Sequence, residues 1–245
     1  MRRRRLLIGA AVVVVLIPLA GFGIRALARA REFQLFGRLV AEVPVRDSLV
    51  ALTLDDGPSG AMTDTVLSIL RAHHATATFF VTGHELALSP SSGTRIVAAG
   101  HELGNHSYSH SHMIGMSPRR IRAELARTDT LIRAAGERGP IYFRPPYGVK
   151  LVGLPWVLWR AGRTTVMWSL EPDSYPNVAA SKDGIVNYVL SRVRPGSILL
   201  LHVWYPSRAT SRAALGPLVD SLHARGYRVV SVRELLAADS LTNVE

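Results

Sequence analysis

Short apolar runs rich in β-branched residues alternate with longer amphipathic stretches through most of this 245-residue chain. The short runs are typical of strands, and the longer stretches have the period of helices. The clearest helix is capped at Ser117 and ends before Gly136, with buried-type residues three and four positions apart. The predicted strands are Leu49–Leu54, Thr76–Val81, Glu102–Gly104, Ile141–Phe143, Thr164–Trp168, Ser197–Leu201 and Tyr227–Val230.

This alternation predicts an α/β domain with a mainly parallel sheet. Seven strand–helix units without a break favour a distorted, seven-stranded (β/α) barrel over an open doubly wound sheet. In such a barrel the carboxyl ends of the strands share one rim, where active sites are found. Polar residues that follow the predicted strands are therefore expected to meet in one cleft.

The N-terminal segment has a different pattern. Arg2–Arg5 form a basic cluster, and Leu6–Ile24 then continues for 19 residues without a charge, close to the length of a membrane-spanning helix. This predicts a signal-anchor with residues 1–5 in the cytoplasm and a single-pass protein whose catalytic domain is extracytoplasmic. Secretion after signal cleavage is the alternative, because Ala26-Leu27-Ala28 resembles a cleavage site.

Residues 25–47 are predicted to be a connector and residues 48–245 a single catalytic domain. The formal net charge is +11, but seven arginines and one glutamate place +6 of it in the first 32 residues, which leaves +5. That excess lacks the clustered basic stripe of a nucleic-acid-binding protein, so no nucleic-acid partner is expected. The chain has no cysteine, which excludes disulfides and thiolate metal sites.

Candidate chemistry follows the first and third predicted strands. Asp55 and Asp56 come directly after the first strand, and Gly57-Pro58 favours a turn there. His106 and His110 have the spacing that lets two imidazoles share a divalent metal if the segment is helical. An Asp–His–His set with open positions is typical of a catalytic metal site, although a helix cap and incidental histidines are the ordinary alternatives.

Five segments in this order resemble the polysaccharide deacetylases with the NodB homology domain, of the carbohydrate esterase family 4 type. The resemblance covers roughly Leu49 to Leu236. It implies hydrolysis of N-acetyl groups on a cell-wall or extracellular polysaccharide, such as peptidoglycan or another N-acetylglucosamine polymer. The segments are Thr53–Pro58 (TLDDGP), Ala77–Val81 (ATFFV), Gly100–His110 (GHELGNHSYSH), Arg144–Gly148 (RPPYG) and Leu200–His202 (LLH).

The resemblance also implies a role for individual residues. Asp56, His106 and His110 would bind a divalent metal, usually zinc, with cobalt, manganese or nickel as alternatives. Asp55 would be the general base that activates water, and His202 would protonate the leaving amine.

Two further residues of the resemblance complete this set. The backbone N–H of Tyr147 would donate to the developing oxyanion of the acetyl carbonyl. Arg144 would donate charge-assisted hydrogen bonds to a carboxylate, either Asp55 or the acid of the fourth motif.

The fourth motif departs from the family's pattern, in which an Asp is followed three residues later by Asp-Trp. Here Glu171 takes the place of the first acid, and Ser174-Tyr175 stands at the Asp-Trp position. Asp173 is favoured over Glu171 as the acidic partner of His202, because its shorter side chain matches the family's Asp. An O-acetyl esterase acting on xylan or wall polymer, or an inactive glycan-binding pseudoenzyme, remains the alternative function.

Overall fold

The computed structural model describes residues 18–242. Within this range the chain forms an α/β fold in which every pairing between strands is parallel. The strands are β1 (Leu39–Val40), β2 (Leu49–Asp55), β3 (Thr78–Val81), β4 (Glu102–Asn105), β5 (Thr165–Val166), β6 (Ile198–His202) and β7 (Arg228–Val230).

Helices connect these strands. The first, α1, covers residues 18–29 of the described range. The others are α2 (Gly60–Ala72), α3 (Gly83–Leu88), α4 (Pro90–Ala98), α5 (Pro118–Ala134), α6 (Gly153–Arg160), α7 (Pro176–Ala179), α8 (Lys182–Leu190), α9 (Ala209–Ala224) and α10 (Val232–Thr242). Three 3₁₀ turns lie at Pro146–Gly148, Pro172–Ser174 and Pro206–Arg208.

Four strands form the order β4-β3-β2-β6, and β7 pairs with the start of β2. The short β1-β5 pair is joined to them by isolated bridges from Phe143 to Asn105 and to Thr165, and from Leu170 to Leu199. These bridges link the strands in the manner of a distorted (β/α) barrel. The predicted strand Ile141–Phe143 is wrong in extent, because only Phe143 makes bridges and no ladder forms around it.

The strand β1 was not predicted from the sequence. It lies inside residues 25–47, which were expected to be only a connector, and its Leu39 and Val40 pair with Thr165 and Val166 of β5. This part of the chain is therefore packed into the sheet. The other strand predictions agree with the structure to within a few residues at each end.

The core has two apolar layers because β2 is buried along its whole length. Val50, Leu52 and Leu54 belong to one cluster, together with the buried faces of α2 and α9. The intervening Leu49 and Ala51 belong to a second cluster, which includes residues of β5, β6 and α10. This alternation is the period of a strand with side chains on both faces, and it makes β2 the central element of the fold.

The predicted helix after Ser117 is confirmed as α5. The Ser117 side chain accepts a hydrogen bond from the backbone N–H of Arg120 (3.3 Å), and Pro118 is the first helical residue. Its buried face includes Ile121, Leu125, Thr128 and Ile132, which follow one another at the spacing of three and four positions expected for this helix.

Most of the predicted membrane span Leu6–Ile24 lies outside the described residues. Among residues 18–242, no helix is both long enough and apolar enough to cross a membrane. The end of α1 contacts the domain through its backbone, since the carbonyl of Ala28 accepts a hydrogen bond from the backbone N–H of Lys150 (2.9 Å). The Lys150 side chain, which is 1% exposed, also donates to the carbonyl of Ala30.

Candidate active site

The carboxyl ends of the strands bring the predicted polar residues to one rim. In the sheet register, Asp55 at the end of β2 lies beside His202 at the end of β6 and beside Phe80 of β3. His106 directly follows β4, and its backbone N–H donates to the carbonyl of Val81 on β3 (2.9 Å). Three strands that are distant in sequence thus place an aspartate and two histidines around one point.

The backbone around this point adopts conformations with a positive φ, which residues other than glycine rarely take. Five non-glycine residues in residues 18–242 have a positive φ, and four of them lie here. Such conformations cost about 1–3 kcal/mol each and are concentrated at functional sites. The four are Asp56 (76°), Ser107 (65°), His110 (51°) and Tyr147 (59°).

The spacing of His106 and His110 predicts that they approach each other if the segment between them is helical, but this segment is a loop. The left-handed turns at Ser107 and His110 bring the imidazoles together instead, with ring centroids 4.9 Å apart. The carboxylate of Glu124 on α5 accepts from the backbone N–H groups of Tyr108 (3.0 Å) and Ser109 (2.8 Å) and so fixes the loop.

One carboxylate and two imidazoles form a cluster suited to a metal ion. Single donor atoms of Asp56, His106 and His110 lie within 4.8 Å of one another. The Asp56 Oδ1 atom lies 3.2 Å from His110 Nε2 and 3.5 Å from His106 Nε2. Ligands of one tetrahedral zinc ion, each about 2.0–2.2 Å from it, are roughly 3.3 Å apart. Asp56 Oδ1 is also buried without a hydrogen bond, so the donor set fits a divalent cation.

The orientation of His106 supports this role. Its Nδ1–H donates to the carbonyl of Arg144 (2.7 Å), which leaves the Nε2 lone pair directed toward the aspartates. Burial lowers the pKa of His106, and the neutral imidazole is the form that binds metals. For Asp56, burial acts to raise the pKa, but contact with His110 and the charges of His106 and His202 outweigh it and hold that pKa well below its usual range.

The second aspartate makes a different set of contacts. Asp55 is 2% exposed, and its Oδ1 accepts from the Nη1 of Arg144 (2.7 Å), while its Oδ2 lies 3.6 Å from His106 Nε2. Arg144 is fully buried and also donates to Thr53 Oγ1 (2.7 Å) and to the carbonyls of Val166 and Met167. Of the two partners considered for Arg144, the structure therefore shows Asp55.

His202 has an acidic partner of its own. Its Nδ1 lies 3.3 Å from the carboxylate of Asp173, which also accepts from the His202 backbone N–H (2.7 Å) and from Ser211 Oγ (3.1 Å). Burial acts to lower the pKa of His202, but the hydrogen bond and charge of Asp173, with the charges of Asp55 and Asp56, raise it to about 9. The protonated imidazole is thus the favoured form of His202 near neutral pH.

The other acid of the fourth motif lies elsewhere. Glu171 accepts hydrogen bonds from Trp168 Nε1 (2.8 Å) and Ser174 Oγ (2.6 Å) and forms an ion pair with Arg31 (2.8 Å). Asp173, not Glu171, is therefore the carboxylate at His202, as favoured from the sequence.

The two aspartates and the three histidines described above line a cleft of about 400 Å³. Tyr147 borders it, with its ring 56% exposed and stacked on the imidazole of His112 at 4.0 Å between centroids. Asp55, Asp56, His106, His110 and His202 all face the same space.

Sequence reasoning missed several residues that build the site. Glu124 could have been noticed as a carboxylate beside the apolar face of α5. Arg29 and Arg31, which line the cleft, belong to residues expected to be only a connector, and no local pattern signals their position. Arg208 likewise carries no signal beyond its place after His202.

The chain matches the family model described as polysaccharide deacetylase over residues 42–166. It is 32% identical to the peptidoglycan-N-acetylglucosamine deacetylase of Bacillus cereus over 84% of this chain and 96% of that one. It is 35% identical to the chitooligosaccharide deacetylase of Bradyrhizobium sp., over 76% of this chain and 90% of that one. The crystal structure of a peptidoglycan N-acetylglucosamine deacetylase superposes with a TM-score of 0.74 at 30% identity, over 80% of this chain and 92% of that one. With the site geometry and these relatives in agreement, the chain belongs to the polysaccharide deacetylase family.

Proposed function

We propose that this protein hydrolyses N-acetyl groups of a polysaccharide containing N-acetylglucosamine, as its relatives' names indicate for peptidoglycan and chitooligosaccharides. The observation that carries the proposal is the convergence of Asp55, the Asp56–His106–His110 cluster and His202 on one cleft. This set contains a base, a cation site and an acid, which are the groups that amide hydrolysis requires.

The residues act on opposite ends of the scissile bond. Asp55 is fixed by Arg144, which donates to its Oδ1. The other carboxylate oxygen of Asp55, Oδ2, accepts a proton from the water that attacks the acetyl carbonyl. His202 donates a proton to the leaving nitrogen, and Asp173 keeps it protonated and oriented. Acetate and the free amine are the products. The backbone N–H of Tyr147 at the edge of the cleft would donate to the oxyanion.

Asp56, His106 and His110 would hold a divalent ion, which would supply Lewis-acid chemistry to the acetyl carbonyl and to the attacking water. We propose zinc, because one carboxylate and two imidazoles form a donor set that zinc binds in catalytic sites. Cobalt, manganese and nickel are the alternatives that metal analysis would distinguish.

The protein is further proposed to be anchored in the cell membrane by Leu6–Ile24, with its catalytic domain outside the cytoplasm. The support is the 19-residue uncharged stretch behind Arg2–Arg5. An extracytoplasmic site would give the enzyme access to wall polysaccharide.

The central experiment measures acetate released from a panel of acetylated glycans by the purified full-length protein. We expect release from N-acetylglucosamine oligomers or peptidoglycan, and complete loss after chelation with recovery on adding zinc, because the Lewis acid is essential. O-acetylated xylan in the same panel tests for ester hydrolysis. Full activity in a chelated sample shown to be metal-free would refute the mechanism.

Separate roles for the two aspartates give a second prediction. Asp56→Asn should lose bound zinc, whereas Asp55→Asn should retain zinc and lose turnover by about 10²–10⁴-fold, since only the base is removed. Mass-spectrometric metal analysis and acetate release on both variants provide the measurement. Retention of zinc by Asp56→Asn with loss by Asp55→Asn would reverse the assignment.

The pH profile tests the pair of Asp173 and His202. Asp173→Asn removes the hydrogen bond and charge that raise the pKa of His202 to about 9. His202 must be protonated to act as the acid, so the basic limb of the activity profile should move to lower pH, toward the ordinary histidine value of about 6.5. Glu171→Gln is the matched control and should leave that limb in place. A shift in the control but not in Asp173→Asn would identify Glu171 as the partner.

The anchor predicts a specific topology. Protease added to intact spheroplasts should degrade the catalytic domain, and the untreated protein should sediment with membranes. A form in the culture fluid that begins near Arg29 or Arg31 would instead demonstrate a cleaved signal peptide.

A further inference from the structure

Three arginines from separate parts of the chain border the active-site cleft. Arg29 and Arg31 come from the end of α1 and the residue stretch after it, and Arg208 comes from the turn that follows β6. No step of the proposed hydrolysis uses any of them. Their presence beside a glycan site is therefore unexplained by the reaction itself.

The stretch that carries Arg29 and Arg31 is fixed against the domain. Lys150 holds it by donating from its backbone to Ala28 and from its buried side chain to Ala30. Arg31 in turn lies over the Trp168 ring at 4.8 Å and pairs with Glu171. The positive charges are thus placed at the cleft by specific contacts.

These charges are only partly compensated. Arg31 gives one of its five N–H donors to Glu171, and the one acceptor that Arg208 has within the described part of the chain is a backbone carbonyl, that of Asp173 (3.0 Å). Among residues 18–242, Arg29 has no acidic partner. The cleft's other carboxylates are engaged, since Asp55 pairs with Arg144 and Asp56 faces the two histidines. A ligand entering the cleft therefore meets the guanidinium of Arg29 and the N–H donors that Arg31 and Arg208 do not use in these contacts.

We propose that Arg29, Arg31 and Arg208 form a subsite for an anionic group of the glycan, a carboxylate or a phosphate close to the sugar that is deacetylated. The inference rests on the proposed function and narrows its substrate to a charged polymer. Guanidinium groups suit both anions because their paired N–H donors match the geometry of two oxygens. Because the three arginines border one concave cleft, they attract an anion more strongly than the same charges scattered over the surface would.

The test compares four glycans with the full-length enzyme. They are neutral chitotetraose, an oligosaccharide of alternating N-acetylglucosamine and N-acetylmuramic acid, the same oligosaccharide with its carboxylates amidated, and a 6-O-phosphorylated chitotetraose. We expect a higher kcat/KM for the carboxylate or the phosphate compound than for its neutral counterpart, through KM, and a decline of that preference with added salt. A preference for the carboxylate compound or for the phosphate compound identifies which anion the subsite binds.

Substitution then assigns the preference to residues. Arg29→Gln, Arg31→Gln and Arg208→Gln should each reduce the charged-to-neutral ratio of kcat/KM by roughly three- to tenfold, the range of partly exposed charge-assisted hydrogen bonds. Arg31→Lys keeps the charge but lacks the paired N–H donors, so its ratio should lie between those of the wild type and Arg31→Gln. Arg160→Gln is the control, because Arg160 is an exposed arginine at the end of α6 that does not line the cleft.

Equal ratios in the wild type and the triple glutamine variant would overturn the anion subsite while leaving deacetylation intact. If no glycan releases acetate, the proposed function fails, and dissociation constants measured in the Asp55→Asn background still decide the subsite. A preference for the charged glycan that disappears in the triple variant supports it, and the absence of any preference refutes it.

Discussion

The buried guanidinium of Arg144 is the interaction on which the rest of the site depends. It donates to Asp55, to Thr53 on β2 and to the carbonyls of Val166 and Met167. It also lies 4.1 Å from the Phe80 ring. Burial of a charge is costly unless every donor finds an acceptor, and leaving the partner unpaired costs about 3–5 kcal/mol. Arg144 therefore fixes Asp55 and the ends of two strands relative to one another.

The same residue positions the histidine side of the cleft. Its backbone carbonyl accepts from His106 Nδ1, and its backbone N–H donates to the carbonyl of Asn105 at the end of β4. The proposed base, Asp55, and the proposed metal ligand, His106, are thus held by one residue, through its side chain and its main chain. The proposed acid is built separately, because His202 and Asp173 depend on Ser211 and on the strand β6. The groups proposed to accept and to donate the proton therefore belong to two separate sets of contacts on the rim.

Local sequence patterns were sufficient for the elements with strong periodicity. The helix α5 and the buried runs of β2 and β6 were predicted because propensity, capping and apolar period agree there. The two-residue strand β1 and the single bridge at Phe143 could not be predicted, since their pairing depends on distant partners. The histidine pair was found by spacing, yet the geometry arises from left-handed turns that spacing does not reveal.

The fourth motif shows how the structure separates two neighbouring acids, of which the sequence favoured Asp173 as the partner of His202. Glu171 and Asp173 are two residues apart, and the 3₁₀ turn Pro172–Ser174 directs them to different neighbours. Asp173 reaches the buried side at His202, and Glu171 reaches Arg31 at the edge of the cleft. The departure from the family's pattern thus coincides with the place where the N-terminal stretch joins the site. The ion pair between Glu171 and Arg31 couples the segment next to the predicted anchor to the rim of the cleft.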